Sequence, residues 1–173
     1  MNILVVIDMQ NDFIDKALGT KEAIAIVPNV IAKIQEFNGT ILFTQDTHEE
    51  NYMDTKEGQN LPVKHCIRGS EGWKIHEQIA AFVSEAPIEK PTFGSEELGR
   101  RLAEMNAKNE IESITLVGLC TDICVISNAM VMKVFLPETP IIVDASCCAG
   151  VTPESHKRAL EAMKVCQIEI VNM

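Results

Sequence analysis

The sequence has no uninterrupted apolar run of the roughly 18 to 20 residues that a membrane-spanning helix requires. Its N-terminal stretch also lacks the basic, apolar, small-residue order of a secretory signal. Positive charge is in short supply: 15 Lys and Arg stand against 25 Asp and Glu, for a formal net charge of −10. Such a surface repels phosphate backbones and anionic lipid, so neither nucleic acid nor a membrane is an expected partner. The six cysteines (Cys66, Cys120, Cys124, Cys147, Cys148 and Cys166) include no Cys-x-x-Cys pair, which argues against a structural zinc site built from thiolates. Internal repeats, low-complexity tracts and linker-like stretches are missing too. These absences predict one cytoplasmic domain over residues 1–173, with reduced thiols and a small neutral substrate.

What is present suffices for a core without disulfides: 46% of 173 residues are hydrophobic. Short runs rich in β-branched residues at Ile3–Ile7, Thr40–Phe43, Ser113–Val117, Ile141–Val143 and Ile168–Val171 read as buried strands. A weaker one at Ala86–Glu89 precedes Lys90. Helical spacing marks Pro28–Phe37, Ser95–Lys108, Thr121–Phe135 and Pro153–Lys164; Pro28 and Pro153 suit first turns, and Ser95 and Thr121 suit N-caps. The alternation predicts an α/β, three-layer αβα fold, a Rossmann-like parallel sheet of about six strands with helices on both faces. Thr47–Glu71 breaks the rhythm as a long polar loop holding two of the four histidines, and loops of that length inside a compact domain are usually functional.

Ligands of open α/β sheets bind beyond the carboxyl ends of the strands. That rule gathers Asp8, Asp46, His48, Lys90 and the segment Gly118–Cys124 at one rim. Cys124 falls in the first turn of the helix beginning near Thr121, where amide N–H groups favour a thiolate, and it is the expected nucleophile. Asp8 can accept its proton, and Lys90 can hold both groups in their charged forms. Cys120, in the turn itself, offers its backbone rather than its thiol, and Asp12 reads as a loop-capping residue. Asp46 and His48 alternate onto one face of an extended chain. With Glu57 and His65 they make a set of two imidazoles and two carboxylates, which suits one divalent zinc, iron or manganese ion better than calcium. His76 and His156 show no partner and are expected at the surface or in helix packing.

With these residues assembled, the chain resembles the isochorismatase-like cysteine hydrolases, and among them the nicotinamidases. The resemblance rests on Val6-Ile7-Asp8-Met9-Gln10-Asn11-Asp12-Phe13, Asp46-Thr47-His48, Lys90-Pro91-Thr92-Phe93 and Gly118-Leu119-Cys120-Thr121-Asp122-Ile123-Cys124-Val125, followed by Asp144-Ala145 and Pro153-Glu154-Ser155-His156. It implies Asp8 as general base, Lys90 as its charged partner and Cys124 as nucleophile. It also implies a cis peptide at Leu119–Cys120, an oxyanion hole from the backbone N–H groups of Cys120 and Cys124, and a homo-oligomer. The implied metal ligands are Asp46, His48, His65 and Glu57, with Asp54 as the substitute for Glu57, and Phe13 and Phe93 line the substrate ring. The implied reaction is deamidation of nicotinamide to nicotinate and ammonia. Leu61 stands where many nicotinamidases have an aromatic residue, and the segment after Lys90 is short. Both differences open the pocket to another small amide of the carbamoyl or ureido type. Isochorismatase chemistry and a non-catalytic relative rank lower, because neither uses the Asp46, His48, His65 set and the Asp8, Lys90, Cys124 group together.

Overall fold

The computed structural model describes residues 1–173. Six strands, β1 (Asn2–Ile7), β2 (Thr40–Asp46), β3 (Ile88–Lys90), β4 (Ser113–Leu119), β5 (Ile141–Ala149) and β6 (Glu169–Val171), form one parallel sheet in the order β3-β2-β1-β4-β5-β6. The helices are α1 (Asn11–Ile14), α2 (Lys21–Glu36), α3 (Lys56–Asn60), α4 (Glu77–Ala80), α5 (Glu96–Lys108), α6 (Ile126–Phe135) and α7 (Pro153–Val165). The α/β architecture matches the sequence expectation.

β1 is central and apolar throughout, so it must be covered on both faces. Ile3, Val5 and Ile7 pack with Leu102 of α5, Met132 of α6 and Met163 of α7; Leu4 and Val6 pack with Val30 and Ile34 of α2. Right-handed crossovers that travel in opposite directions along a sheet leave their helices on opposite faces. The reversal falls between β1 and β4, and their carboxyl ends open a crevice there. Gly118, near the end of β4, has φ +116°, and a Cβ there would lie 2.1 Å from the Ile7 carbonyl oxygen, so only glycine lets the two central strands pair here.

Several boundaries differ from the sequence reading. β2 continues past Phe43 through Thr44, Gln45 and Asp46, which are polar yet buried because they pair with Ile88, Glu89 and Lys90 of β3. β5 continues past Val143 to Ala149 through an irregularity, its register with β4 jumping from Leu116↔Val143 to Gly118↔Cys148. Pro28 is interior to α2 rather than in its first turn; Thr20 caps that helix, accepting from the Ala23 amide at 3.0 Å. An interior proline costs about 3 kcal/mol. Burial of Ile26, Val27, Val30 and Ile34 along α2 contributes about 1.5–3 kcal/mol per side chain and outweighs it. Thr121 is not an N-cap. It is buried in a π-helical turn, Thr121–Val125, with Cys120 at the cap position, and α6 begins only at Ile126. The segment Thr47–Glu71 is folded, containing a 3-10 turn at Tyr52–Asp54, α3 and an isolated bridge between His48 and Ile67. All six cysteines are free, and Cys166 is exposed. No helix is long and apolar enough to cross a membrane.

Asp144 on β5 joins the sheet to α2. Its buried carboxylate meets Lys33 Nζ at 2.6 Å and accepts from Ser146 at 2.7 Å and Asn172 at 3.0 Å. Burial alone would raise its pKa, but these partners outweigh burial and hold it below the usual carboxylate value. A depressed folded-state pKa gives stability that is complete above the unfolded value, near 3.8, and lost as pH falls through the lower folded one. Asp144→Asn is therefore expected to cost about 1–3 kcal/mol in urea unfolding at pH 7. The gap from the parent should close as the pH falls below about 4.

Candidate active site

Each residue of the expected catalytic group is delivered by the end of a different strand. Asp8 follows β1 directly in a left-handed conformation (φ 46°), an uncommon state for a residue other than glycine that needs surrounding support. Thr44 of β2 supplies it: its hydroxyl donates to Asp8 Oδ1 at 2.7 Å and accepts from the Asp8 amide at 3.2 Å. Lys90 ends β3 in register with Asp46. Cys124 lies in the π-helical turn after β4. The peptide bond Leu119–Cys120 is cis, and the Cys120 amide N–H donates to no backbone acceptor.

These separate stretches converge on one ammonium. Lys90 Nζ lies 2.7 Å from Asp8 Oδ2, 3.2 Å from Asp46 Oδ1, 3.4 Å from Cys124 Sγ and 3.2 Å from the Thr92 carbonyl oxygen. Asp8 and Lys90 are 0% and 1% exposed, so this charge cluster is shielded from solvent and less screened than a surface pair. Burial would strip the proton from Lys90, but Asp8, Cys124 and Asp46 outweigh it and raise its pKa. Burial and the facing Asp8 charge push the Cys124 thiol well above its ordinary value, with Lys90 opposing. Burial likewise raises Asp8 against the pull of Lys90. The resting thiol is thus neutral, beside a carboxylate whose proton affinity has been increased.

A second cluster shares Asp46. The donor atoms of Asp46, His48 and His65 all lie within 4.8 Å of one another. His48 Nε2 is 3.0 Å from Asp46 Oδ2, and His65 Nε2 is 3.8 Å from the same oxygen. Glu57 Oε1 approaches the two imidazoles at 3.6 and 3.7 Å, whereas Asp54 is exposed and reaches neither. A tetrahedral ion with bonds of roughly 2.0–2.1 Å spaces its ligands about 3.3 Å apart, so this set can hold a divalent metal. Two further observations fit. His48 Nε2 is buried, and its 3.0 Å approach to Asp46 Oδ2 is not aligned as a hydrogen bond. His65 Nδ1 lies 2.8 Å from the Val63 carbonyl oxygen, which can only accept, so the proton sits on Nδ1 and Nε2 keeps its lone pair for a metal.

Above both clusters is a cavity of about 590 Å³ with Cys124, Asp46, Glu57 and His65 in its lining. Phe13, Leu61 and Phe93, the expected pocket residues, all line it, joined by Leu18, Ile123 and Val151. Leu61 and Phe93 remain partly exposed at 38% and 43%, so the mouth is open. Its size, apolar walls and few polar groups suit a small molecule.

The Isochorismatase domain family model matches residues 2–172. The chain belongs to the isochorismatase family. Among its relatives is the nicotinamidase/pyrazinamidase of Mycobacterium tuberculosis, 24% identical over 99% of this chain and 98% of that protein. The pyrazinamidase of Pyrococcus horikoshii in complex with zinc superposes with a TM-score of 0.78 at 27% identity, over 99% of both chains. The pyrazinamidase/nicotinamidase of Streptococcus mutans gives a TM-score of 0.84 at 26% identity, over 99% of this chain and 100% of that one.

In this isochorismatase-family chain, several residues support the site in ways that the sequence reading did not assign. Gln10 donates to the Asp46 carbonyl oxygen at 2.9 Å and accepts from the Asp46 amide at 2.8 Å, pinning the backbone of the residue shared by both clusters. Tyr52, the only tyrosine, packs its ring 4.7 Å from His48 and 5.0 Å from His65. Burial pushes its phenol up to about 12, so it stays neutral and donates to the Leu61 carbonyl oxygen at 2.9 Å. His156 is not partnerless: its Nδ1 lies 2.7 Å from Thr121 Oγ1, tying α7 to the turn that carries Cys124. Asp12 caps as expected, accepting from the Cys66 amide at 2.8 Å.

Proposed function

We propose that the chain is an amidase that hydrolyses nicotinamide to nicotinate and ammonia through a thioester on Cys124. The observation that carries this reading is one buried ammonium, Lys90 Nζ, in contact with Asp8 and with Cys124, the latter in the lining of an apolar cavity. The nicotinamidase relatives support the choice of substrate.

Asp8 takes the Cys124 proton as the sulfur attacks the amide carbon, and Lys90 offsets the negative charge that the pair then carries. The carbonyl oxygen becomes an oxyanion, held by the free N–H of Cys120 together with that of Cys124. Collapse breaks the carbon–nitrogen bond, and the proton on Asp8 passes to the departing nitrogen, which leaves as ammonia. Water then attacks the thioester with Asp8 taking its proton; the carbon–sulfur bond breaks and the thiol is restored. Phe13 and Phe93 line the ring's position, and Leu61 leaves one side open. A divalent zinc, iron or manganese ion bound by Asp46, His48, His65 and Glu57 would supply a coordination position for the pyridine nitrogen. We assign the enzyme to the cytoplasm, where six free cysteines stay reduced.

Ammonia release measured across nicotinamide, pyrazinamide and simple ureido compounds, paired with elemental analysis, tests the reading. Release from nicotinamide by a protein holding about one equivalent of metal is the expected result; release from the ureido compounds alone would replace it with the carbamoyl alternative. His48→Ala is expected to lower bound metal by about 10- to 100-fold in affinity while the fold survives. Equilibrium dialysis with zinc, read alongside circular dichroism, checks this.

A further inference from the structure

We infer that Asn128 is a positioning residue that sets the loop of Lys90 against the turn of Cys124. The inference rests on the proposed roles of those two residues. Asn128 is in the first turn of α6, 0% exposed and four residues beyond Cys124. Asparagine is a poor helix former, and its amide is costly to bury unless fully bonded. Here every polar atom of the side chain is used. Nδ2 donates to the Cys124 carbonyl oxygen at 2.8 Å and to the Phe93 carbonyl oxygen at 3.0 Å, while Oδ1 accepts from the Ser95 amide at 3.0 Å.

The bonded loop is the one that returns to Lys90. Leaving β3, it runs through Pro91 and Thr92, whose carbonyl oxygen accepts from Lys90 Nζ at 3.2 Å. Phe93 then contributes to the cavity wall, and Ser95 caps α5 by accepting from the Leu98 amide at 3.0 Å. Gly94 brings this loop close to α6, where an added Cβ would lie 2.9 Å from Val131. Without Asn128, no other side-chain bond joins the Lys90 loop to the nucleophile's turn except Lys90 itself. A single amide thus fixes the lysine's loop, the pocket wall and the backbone of Cys124 relative to one another.

Two variants test this. Asn128→Asp keeps the acceptor for Ser95, but it turns an oxygen toward two carbonyl oxygens unless the carboxyl is protonated; Asn128→Ser keeps one donor. With each variant's fold checked by circular dichroism at every pH, Asn128→Asp is expected to lower kcat about tenfold or more near pH 8. KM should stay within about threefold. Its activity relative to the parent should climb at least about threefold toward pH 5.5, as protonation restores a donor. Asn128→Ser should fall between parent and Asn128→Asp. A folded variant with kcat within about twofold of the parent, a loss confined to KM, or a failure of both variants to fold would each overturn the proposal. The parent assayed in parallel separates the two readings: if it releases no ammonia from nicotinamide, that substrate is wrong, and the comparison is made with the amide it does cleave.

Discussion

Cys124→Ala is expected to reduce ammonia release by about 10⁴-fold or more, because the proposed mechanism assigns the nucleophile to this sulfur. Cys120 lines the same cavity but cannot replace it. No ammonium is bonded to its sulfur as Lys90 is to that of Cys124. The substitution trades a buried thiol for a methyl group, so the fold should lose no more than about 1 kcal/mol. Steady-state ammonia release and thermal melting, measured on the same preparation, check both halves. A variant that melts like the parent yet keeps a tenth of its activity would remove Cys124 from the chemistry.

Lys90→Met should be the change that damages stability most, and it should also slow turnover. Methionine occupies a similar volume but removes the ammonium that Asp8 and Asp46 share in a buried site. Removing one partner of a buried charge group costs about 3–5 kcal/mol. The sign with pH follows from the lysine. Its folded-state pKa is raised, so its contribution is complete below the unfolded value, near 10.5, and disappears only as pH rises through the higher folded one. In the variant, acid relieves the damage by protonating the stranded carboxylates. The stability gap should therefore be largest from about pH 7 to 9 and narrow toward pH 4, a trend that urea unfolding at several pH values would reveal. A turnover loss of about 10²-fold or more should accompany it, since the developing thiolate loses its nearest positive charge.

The sheet was legible because its strands are short, β-branched and apolar on both faces, a pattern that only burial between two helix layers requires. Strand ends were harder to read. Thr44, Gln45 and Asp46 look like the start of a loop, yet they are buried as the last rungs of β2 because β3 pairs with them. The three shortest helices, α1, α3 and α4, have four or five residues each, too few for a periodic signal. Pro28 misled in the opposite way, since tertiary burial of α2 overrides a local helix breaker. At the site, the chemically loaded side chains announced themselves through residue type and position after strands. The neutral groups that hold them did not. Gln10, Thr44 and Asn128 act through backbone and hydroxyl contacts between segments at least 33 residues apart, or, for the Asn128 bond to Cys124, through a single turn; no local spacing marks either.

The most direct test of the account is to stop the reaction with acid during turnover of nicotinamide and map the peptides by mass spectrometry. A nicotinoyl group should appear on the peptide carrying Cys124, and on no other cysteine, and it should vanish when hydroxylamine is added. Sustained ammonia release with that peptide unmodified, and with Cys124→Ala still active, would contradict a thioester at this sulfur.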